Sequence, residues 1–343
     1  DLNREGKFLQ ANQILDALLI KLQTEDGEDK FFASTYQTKA KIVQSLGNYK
    51  ESSKLARQSL VISLRSKDSL NIADSYNTIG INHYFESDYD STTYYYEKSL
   101  EIKRKIKTDP YALAVSNYNL ALVYDDLGQS EKAMELYMQA EANLLESDQT
   151  KNFLSDVYVG IALIYFYSGD ISNAEVYAEK AMEKGLLSYG EFNPNMTFVY
   201  TTYANILEAD KKYEESVALL EKNLKIRRST YGEFHRWTCE TYYDLANAYV
   251  LVRKYDKAEE YYNKAIEIGK KINSLQYLAN ARNFLAQLYL DRKIHLDKAE
   301  SLLHASLETN LIIYGDKSDL VAENYLHLAK LYRLKEENTL FLE

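Results

Sequence analysis

Residues able to make or break covalent bonds are scarce in this chain, and the one suggestive spacing is His235 followed by Cys239. Four residues apart on a helix, an imidazole and a thiol share a face, the arrangement in which a base could activate a sulfur nucleophile. The surrounding sequence argues for a structural role instead. His235 lies in "YGEFHRW" (231–237), which copies "YGEFNPN" (189–195), so its position belongs to a recurring connection, and Cys239 opens the helix that follows. A hydrolase using Cys239 is kept as the remote alternative; no catalytic residue is assigned and the chain is expected not to be an enzyme. His83, His295, His304 and His327 show neither an H-E-x-x-H pattern nor Cys-His clustering, so neither a metal site nor a cofactor is expected. The basic runs "KRKIK" (103–107), "KIRR" (225–228) and "GKK" (269–271) fall near the ends of helices, where cations favour the dipole. No glycine-rich nucleotide loop is present to cradle a phosphate.

With no chemistry concentrated in a motif, function has to lie in a surface, and composition limits what that surface can meet. The 343 residues, 46% of them hydrophobic, are ample for a core. Two prolines and twelve glycines are too few for a β-sandwich with many tight turns, whereas the abundance of Ala, Leu, Glu, Lys and Tyr suits helices. A net charge of -10 would repel a phosphate backbone, so nucleic acid is not an expected partner. The longest nearly uncharged apolar run, "YVGIALIYFY" (158–167), is half of what a bilayer span needs, and no membrane span is expected. One cysteine rules out an internal disulfide and leaves the redox compartment open. The chain begins "DLNREGKFLQ", with neither initiator Met nor leader. Removal of a signal peptide and excision from a longer polypeptide both account for that, so localisation stays unknown, with the cytoplasm favoured.

The elements that would build such a surface are repeats. A small residue recurs at Ala11, Ser52, Thr92, Ala133, Ala174, Ser216, Ala258 and Ala299, at successive intervals of 41, 40, 41, 41, 42, 42 and 41 residues. The phrases "DYDSTTYYYEKSLEI" (88–102) and "KYDKAEEYYNKAIEI" (254–268) are therefore one structural position, four repeats apart. Each unit holds two helices. In the sixth, Tyr242, Leu245, Ala246 and Tyr249 form one apolar stripe and Ala258, Tyr262 and Ala265 another. The alanines let two backbones approach and the tyrosines fill the space beside them. Gly47, Gly128 and Gly169 mark equivalent turns inside the hairpins, and the pairs Asp109-Pro110 and Asn193-Pro194 suggest a cap followed by the first helical residue. The expectation is an all-α solenoid of about fifteen helices, without a sheet. It would occupy 1–343 as a single array, with a lone second helix at 6–21, complete repeats at 33–68, 73–108, 111–147, 152–187, 195–230, 238–272 and 279–312, and a lone first helix at 318–334.

The order of Tyr242, Leu245-Ala246 and Tyr249, a turn, and then Ala258, Tyr262 and Ala265 resembles the tetratricopeptide repeat, and the likeness extends from residue 6 to about 335. That repeat is ordinarily about 34 residues long, whereas this one is about 41. Longer units belong to the kinesin-light-chain type, whose Tyr-Gly-x-x-His-Pro connection is similar to "YGEFNPN", "YGEFHRW" and "YGDKSDL" (314–320). In bacteria the long type is similar to arrays preceding CHAT domains, which are caspase-like peptidase modules, although nothing of a CHAT domain is visible in this sequence. The resemblance implies a right-handed superhelix and a protein-protein interaction scaffold, the recognition or regulatory region of a larger protein. Control of a CHAT-type peptidase module is the first expectation and a kinesin-light-chain-like cargo adaptor the alternative. Leu15, Leu18 and Tyr332 would bare apolar faces at the ends, so end-to-end self-association is expected unless flanking chain covers them.

In this family the first helix of each hairpin lines a groove. Carrying the groove positions over gives Asp74, Asn77, Ile81, Tyr84 and Phe85 in the second repeat and Tyr118, Leu122, Asp125 and Asp126 in the third. The fourth supplies Asp156, Val159, Leu163, Phe166 and Tyr167, the fifth Phe198, Asn205 and Glu208, and the sixth Glu240, Tyr243, Asn247, Val250 and Leu251. With Asp291 and Glu323 added, acids outnumber the bases Lys41, Lys330 and Arg333 at these positions. The implied partner is a protein or peptide segment of apolar and basic character, including a catalytic domain of the same polypeptide. A carboxylate clamp for an acidic C-terminus does not fit so few bases.

Overall fold

The computed structural model describes residues 2–24, 28–147 and 153–340. Among them every regular element is an α-helix, and there are sixteen. The chain groups into two compact units, Asp1–Ser168 and Gly169–Glu343. The first contains α1 (Leu2–Thr24), α2 (Asp29–Ser45), α3 (Tyr49–Ser66), α4 (Ser69–Phe85), α5 (Tyr89–Lys105), α6 (Pro110–Asp126), α7 (Ser130–Glu146) and α8 (Leu154–Tyr167). The second contains α9 (Ile171–Tyr189), α10 (Met196–Ala209), α11 (Tyr213–Tyr231), α12 (Arg236–Leu251), α13 (Tyr255–Lys271), α14 (Leu275–Arg292), α15 (Leu296–Tyr314) and α16 (Asp319–Leu340).

Within each unit a helix packs on the next in sequence, and alternate helices also touch: α2 with α4 and α6 with α8 in the first unit, α12 with α14 and α14 with α16 in the second. The first helices of successive hairpins thus lie side by side and form an inner layer. What sets the spacing is the small residue that recurs. Ser52, Thr92, Ala133, Ala174, Ser216, Ala258 and Ala299 are all fully buried, while Ala11 on α1 is partly open. Seven residues further on, a polar side chain often reaches across to the partner helix. Ser59 Oγ donates to the Ala33 carbonyl (2.9 Å), Ser99 Oγ to Ala73 (2.8 Å), Asn223 Nδ2 to Thr197 (3.2 Å) and Ser306 Oγ to Ala279 (2.9 Å). A second helix close enough for a short polar side chain to bond the first helix's backbone keeps this position to Ser, Ala or Asn.

The turns follow the same economy. The second residue after the first helix is left-handed whether or not it is glycine: Gly47 and Gly128 have φ of 79° and 69°, and Ser87, Lys211 and Arg253 at equivalent places have 59°, 63° and 58°. Asn48, Asp68, Asp88 and Asp170 cap the helices they precede by accepting the N–H three residues on. The two Pro sites differ from the sequence expectation. Pro110 does open α6, but Asp109 makes no side-chain cap bond. Asn193 and Pro194 fall in a turn before α10, where Asn193 Oδ1 accepts the Asn195 N–H (2.9 Å) and the helix starts only at Met196. The Met196 and Thr197 amides already bond the Asn193 and Pro194 carbonyls, which fixes this tighter entry.

Two glycines leave holes for buried tyrosines. A Cβ on Gly160 of α8 would sit 2.4 Å from Cζ of Tyr137, and one on Gly80 of α4 would sit 2.5 Å from Cδ1 of Tyr96. Both rings are buried and cannot swing away. Gly160→Ala is therefore expected to destabilise the first unit by about 1–3 kcal/mol in urea unfolding, with faster hydrogen exchange concentrated in α7 and α8. Unchanged stability and exchange would show that the ring and helix do not press together.

Candidate functional site

The covalent chemistry suggested by His235 and Cys239 is not assembled. Cys239 is wholly buried at the start of α12, its Sγ donates to the Ala265 carbonyl (3.3 Å), and burial followed by the nearby Glu240 pushes its thiol up to about 12. A thiolate does not form readily there. His235 meets it only through the backbone, its carbonyl accepting the Cys239 N–H, while its Nδ1 accepts the Trp237 N–H (3.2 Å) as a helix cap. Among the described residues no cluster of His, Cys, Asp and Glu could hold a metal ion, and no helix is long and apolar enough to cross a membrane.

In the first unit the carried-over positions lie on α4, α6 and α8. Phe85 and Tyr167 end their helices 56% and 76% exposed, the most open of these aromatics. Phe85 keeps its place by stacking on Tyr49 of α3 (4.8 Å between ring centres), and Phe166 meets Tyr167 edge-on (5.4 Å). The structure joins Tyr84 of α4 to α6, since its hydroxyl hydrogen-bonds Asp126; burial first, then that bond and the nearby charges, raises its pKa. Burial and then the adjoining Asp126 raise Asp125. Tyr118, partly covered, packs between Tyr137 (5.8 Å) and Phe153 (4.7 Å). Asn77, Ile81, Leu122, Asp156 and Leu163 are partly covered and Val159 is buried.

The second unit places Phe198 and Asn205, both exposed, and Glu208 on α10, and Glu240, Tyr243, Asn247, Val250 and Leu251 on α12. Glu208 accepts from Ser216 Oγ (2.8 Å), and burial holds its carboxyl above the usual range. Tyr243 packs against Tyr262 (6.3 Å) and Phe284 (5.5 Å), and burial pushes its hydroxyl up to about 12. Asn247 Oδ1 accepts the Tyr262 hydroxyl (2.5 Å). Beside it a cleft of about 230 Å³ opens between α12 and α14, lined by Asn247, Leu251, Phe284, Leu288 and Asp291 among others.

Sequence alone overstated the free acids on these faces, because cations approach them from behind. Lys103 and Arg227, which the sequence placed among helix-terminal charges, occupy one repeat position, eleven residues after Thr92 and Ser216, and both are buried. Lys103 Nζ donates to Ser116 Oγ (2.9 Å) and lies 4.0 Å from Asp74, which also pairs with Lys41 (3.1 Å); burial lowers its pKa. Arg227 pairs with Glu240 (2.8 Å) and donates to the Trp237 carbonyl (2.9 Å) and Thr241 Oγ1 (3.0 Å). Lys330 pairs with Asp291 (2.5 Å).

One residue escaped the carry-over. Asp244 of α12 stands where other repeats bury Thr78, Gly160 and Thr202. Its Oδ2 is shut off from solvent without a hydrogen-bond partner, although the residue as a whole is only partly covered. Burial, reinforced by Glu240 and opposed by Arg227, pushes its carboxyl up to about 8. The signal in the sequence was an acid inside the apolar stripe "TYYDLANAYV", four residues after Glu240 and three before Asn247.

Comparison with known proteins completes the picture. The sequence pattern described as tetratricopeptide repeat matches residues 31–105 and 195–271, and a second pattern of the same description matches 114–142 and 155–183, together more than half of the chain. A clustered mitochondria protein homolog of Candida albicans (strain SC5314 / ATCC MYA-2876) is 28% identical over 159 residues, which is 45% of this chain and 12% of that protein's length. Solved structures share the fold. The apo form of the quorum sensor NprR from B. thuringiensis has a TM-score of 0.66 at 14% identity, covering 88% of this chain and 86% of its own. A STAND-type signal transduction ATPase with a tetratricopeptide repeat sensor, from Pyrococcus horikoshii, has a TM-score of 0.66 at 16% identity, covering 95% of this chain and 50% of its own. BtubC (BKLC) from P. vanneervenii has a TM-score of 0.59 at 19% identity, covering 67% and 94%.

The buried carboxyl makes stability depend on pH. Below about pH 4 Asp244 is protonated in the folded and the unfolded chain alike, and it costs nothing. Between that pH and about 8 the folded protein holds a proton that the unfolded chain has lost, so stability falls as pH rises through this window. Asp244→Asn should match the parent melting temperature at pH 4 and exceed it by at least about 3 °C at pH 8, by circular dichroism. A gain that does not change with pH would contradict the burial of a titrating group.

Proposed function

The chain belongs to the tetratricopeptide repeat family, and from that premise we propose that it is the recognition or regulatory region of a larger protein, whose inner helix faces take up an extended segment of a protein partner. The repeat array is a protein-interaction scaffold; the finer reading concerns what it grips. The observation that carries it is the placement of Phe85 and Tyr167, large aromatics left open at the ends of first helices α4 and α8, in the same unit as the carboxylates Asp125 and Asp126. An aromatic that can be desolvated by a partner is typically worth about 2 kcal/mol or more, whereas rim charges act chiefly on association rate and salt dependence. The segment that suits such a face mixes bulky apolar with basic side chains.

A catalytic module of the same polypeptide is the first candidate for the controlled partner, on the resemblance to arrays that precede CHAT domains. The connections "YGEFNPN" and "YGEFHRW" support the second reading, a kinesin-light-chain-like cargo adaptor. Both readings predict the same behaviour of the face. Phe85→Ala combined with Tyr167→Ala should weaken the partner segment at least about tenfold in calorimetric titration, and Asp125→Asn with Asp126→Asn should mainly flatten the dependence of affinity on salt. Full affinity in a correctly folded aromatic double variant would move the binding surface to the outer helices or the connecting loops.

A further inference from the structure

The outer helices of the first unit carry a feature that the reading of the inner faces does not use, and the inference from it stands whatever those inner faces bind. On α3, Lys50, Lys54, Arg57, Val61, Leu64 and Arg65 are all exposed and are spaced i, i+4, i+7, i+11, i+14 and i+15. They form one stripe, opposite the side that buries Ser52, Leu55 and Ser59. Two repeats on, with Ala133 in the place of Ser52, the same six positions of α7 hold Glu131, Glu135, Met138, Ala142, Leu145 and Glu146, again all exposed. The two stripes are opposite in charge. Lys50, Lys54 and Arg65 correspond to Glu131, Glu135 and Glu146, and beside the stripes Glu51 corresponds to Lys132. Val61 and Leu64, 57% and 52% exposed, correspond to Ala142 and to Leu145, which is 65% exposed.

These charges are poorly answered within the chain. Among the described residues Lys50, Arg65, Glu131 and Glu146 have no charged partner, and Lys54 approaches Glu51 only to 3.6 Å. Nor do the stripes meet each other, since α3 packs on α2 and α4 whereas α7 packs on α6 and α8. The match is also selective. Between them α5 mixes signs, with Asp90, Glu97 and Glu101 before Arg104 and Lys105. In the second unit α13 offers Asp256 and Glu260 but sets Lys270 and Lys271 where α3 has Leu64 and Arg65.

We propose that α3 is a docking surface for a second copy of this chain, whose α7 lies along it parallel and in register. Laid that way, three bases meet three acids while Val61 and Leu64 meet Ala142 and Leu145. Turned antiparallel, the stripes would set Lys54 on Ala142 and Val61 on Glu135. Arg57 falls opposite Met138, a thioether that can cover its aliphatic stem. The surface of α3 has room for it, because Lys50, Lys54, Arg57 and Val61 line a groove of about 620 Å³ with Tyr36 of α2. One helix against another buries less than the roughly 1,200–2,000 Å² of stable complexes, so the association is weak and sensitive to salt.

The test is sedimentation of the whole 343-residue chain and of two charge-reversed variants, Lys50→Glu with Lys54→Glu and Glu131→Lys with Glu135→Lys. At about 100 μM in low salt the parent should sediment as more than one chain, and salt should weaken the association several-fold. Each variant, with helical content unchanged by circular dichroism, should associate at least about tenfold more weakly. An equimolar mixture of the two, in which each α3 again meets an α7 of opposite sign, should recover the parent's behaviour. Arg65→Glu and Glu146→Lys form an independent pair at the other end of the stripes and should lose and regain association in the same way. A parent that stays a single chain, variants that associate as the parent does, or a mixture that recovers nothing would overturn the contact. No inner-face residue is altered, so each of those results leaves the reading of the inner faces as it was.

Discussion

The structure of each unit depends on two helix backbones meeting at one small residue. Where that contact is closest, Ser59, Ser99 and Ser306 bond carbonyls of the facing helix directly, and where alanine replaces serine at the equivalent Ala140, Ala181 and Ala265 the helices meet without the bond. Each such bond is worth only about 1 kcal/mol net. The steric requirement is stronger at Ser52, Thr92, Ala133 and their equivalents, all fully buried, because a larger side chain there would push apart two helices that also hold the neighbouring hairpins. The large residues answer the same constraint. Tyr137 and Tyr96 fill hollows that Gly160 and Gly80 keep open, so small and large positions are defined in pairs across the interface.

That pairing explains what was legible in the sequence. One small residue per hairpin cannot be varied freely, so its interval near 41 residues survives even where almost everything around it differs, as between Thr92 and Ala258. The turn is equally fixed in geometry but not in residue type. Gly47 and Gly128 announced it, whereas Ser87, Lys211 and Arg253 adopt the same left-handed backbone without any sign in their identity. The entry to α10 was misplaced because Asn193 and Pro194 satisfy a turn as well as they would a helix start, and only the bonds of Met196 and Thr197 distinguish the two.

The composition of the inner faces could be read in advance; their charge pairing could not. An acid at a first-helix position looks free until a cation is found behind it, and Lys103 and Arg227 come from second helices, far enough in sequence that no local pattern links them to Asp74 or Glu240. Burying each cation removes water that must be replaced, and Ser116, Thr241 and the Trp237 carbonyl do that work. The effect on function is selective neutralisation. Asp74, Glu240 and Asp291 are answered within the chain, so net negative charge on these faces is concentrated at fewer places than a count of acids suggests.

A repeat array makes such local exceptions affordable. Because each hairpin leans mainly on its neighbours, a substitution that departs from the pattern burdens one interface and not the whole chain. Asp244 is a departure of this kind: a carboxyl at a position that elsewhere buries Thr78 or Thr202, raised in pKa by the surroundings that make those threonines comfortable. The period explains nothing about it, since an array built for stability alone would place a neutral side chain there. Positions that obey the repeat describe the scaffold, and those that break it at a cost in stability are where a partner's contribution can be looked for. On α12 the break lies in one stripe with Glu240, Asn247 and Leu251, and the far end of that stripe borders an apolar recess.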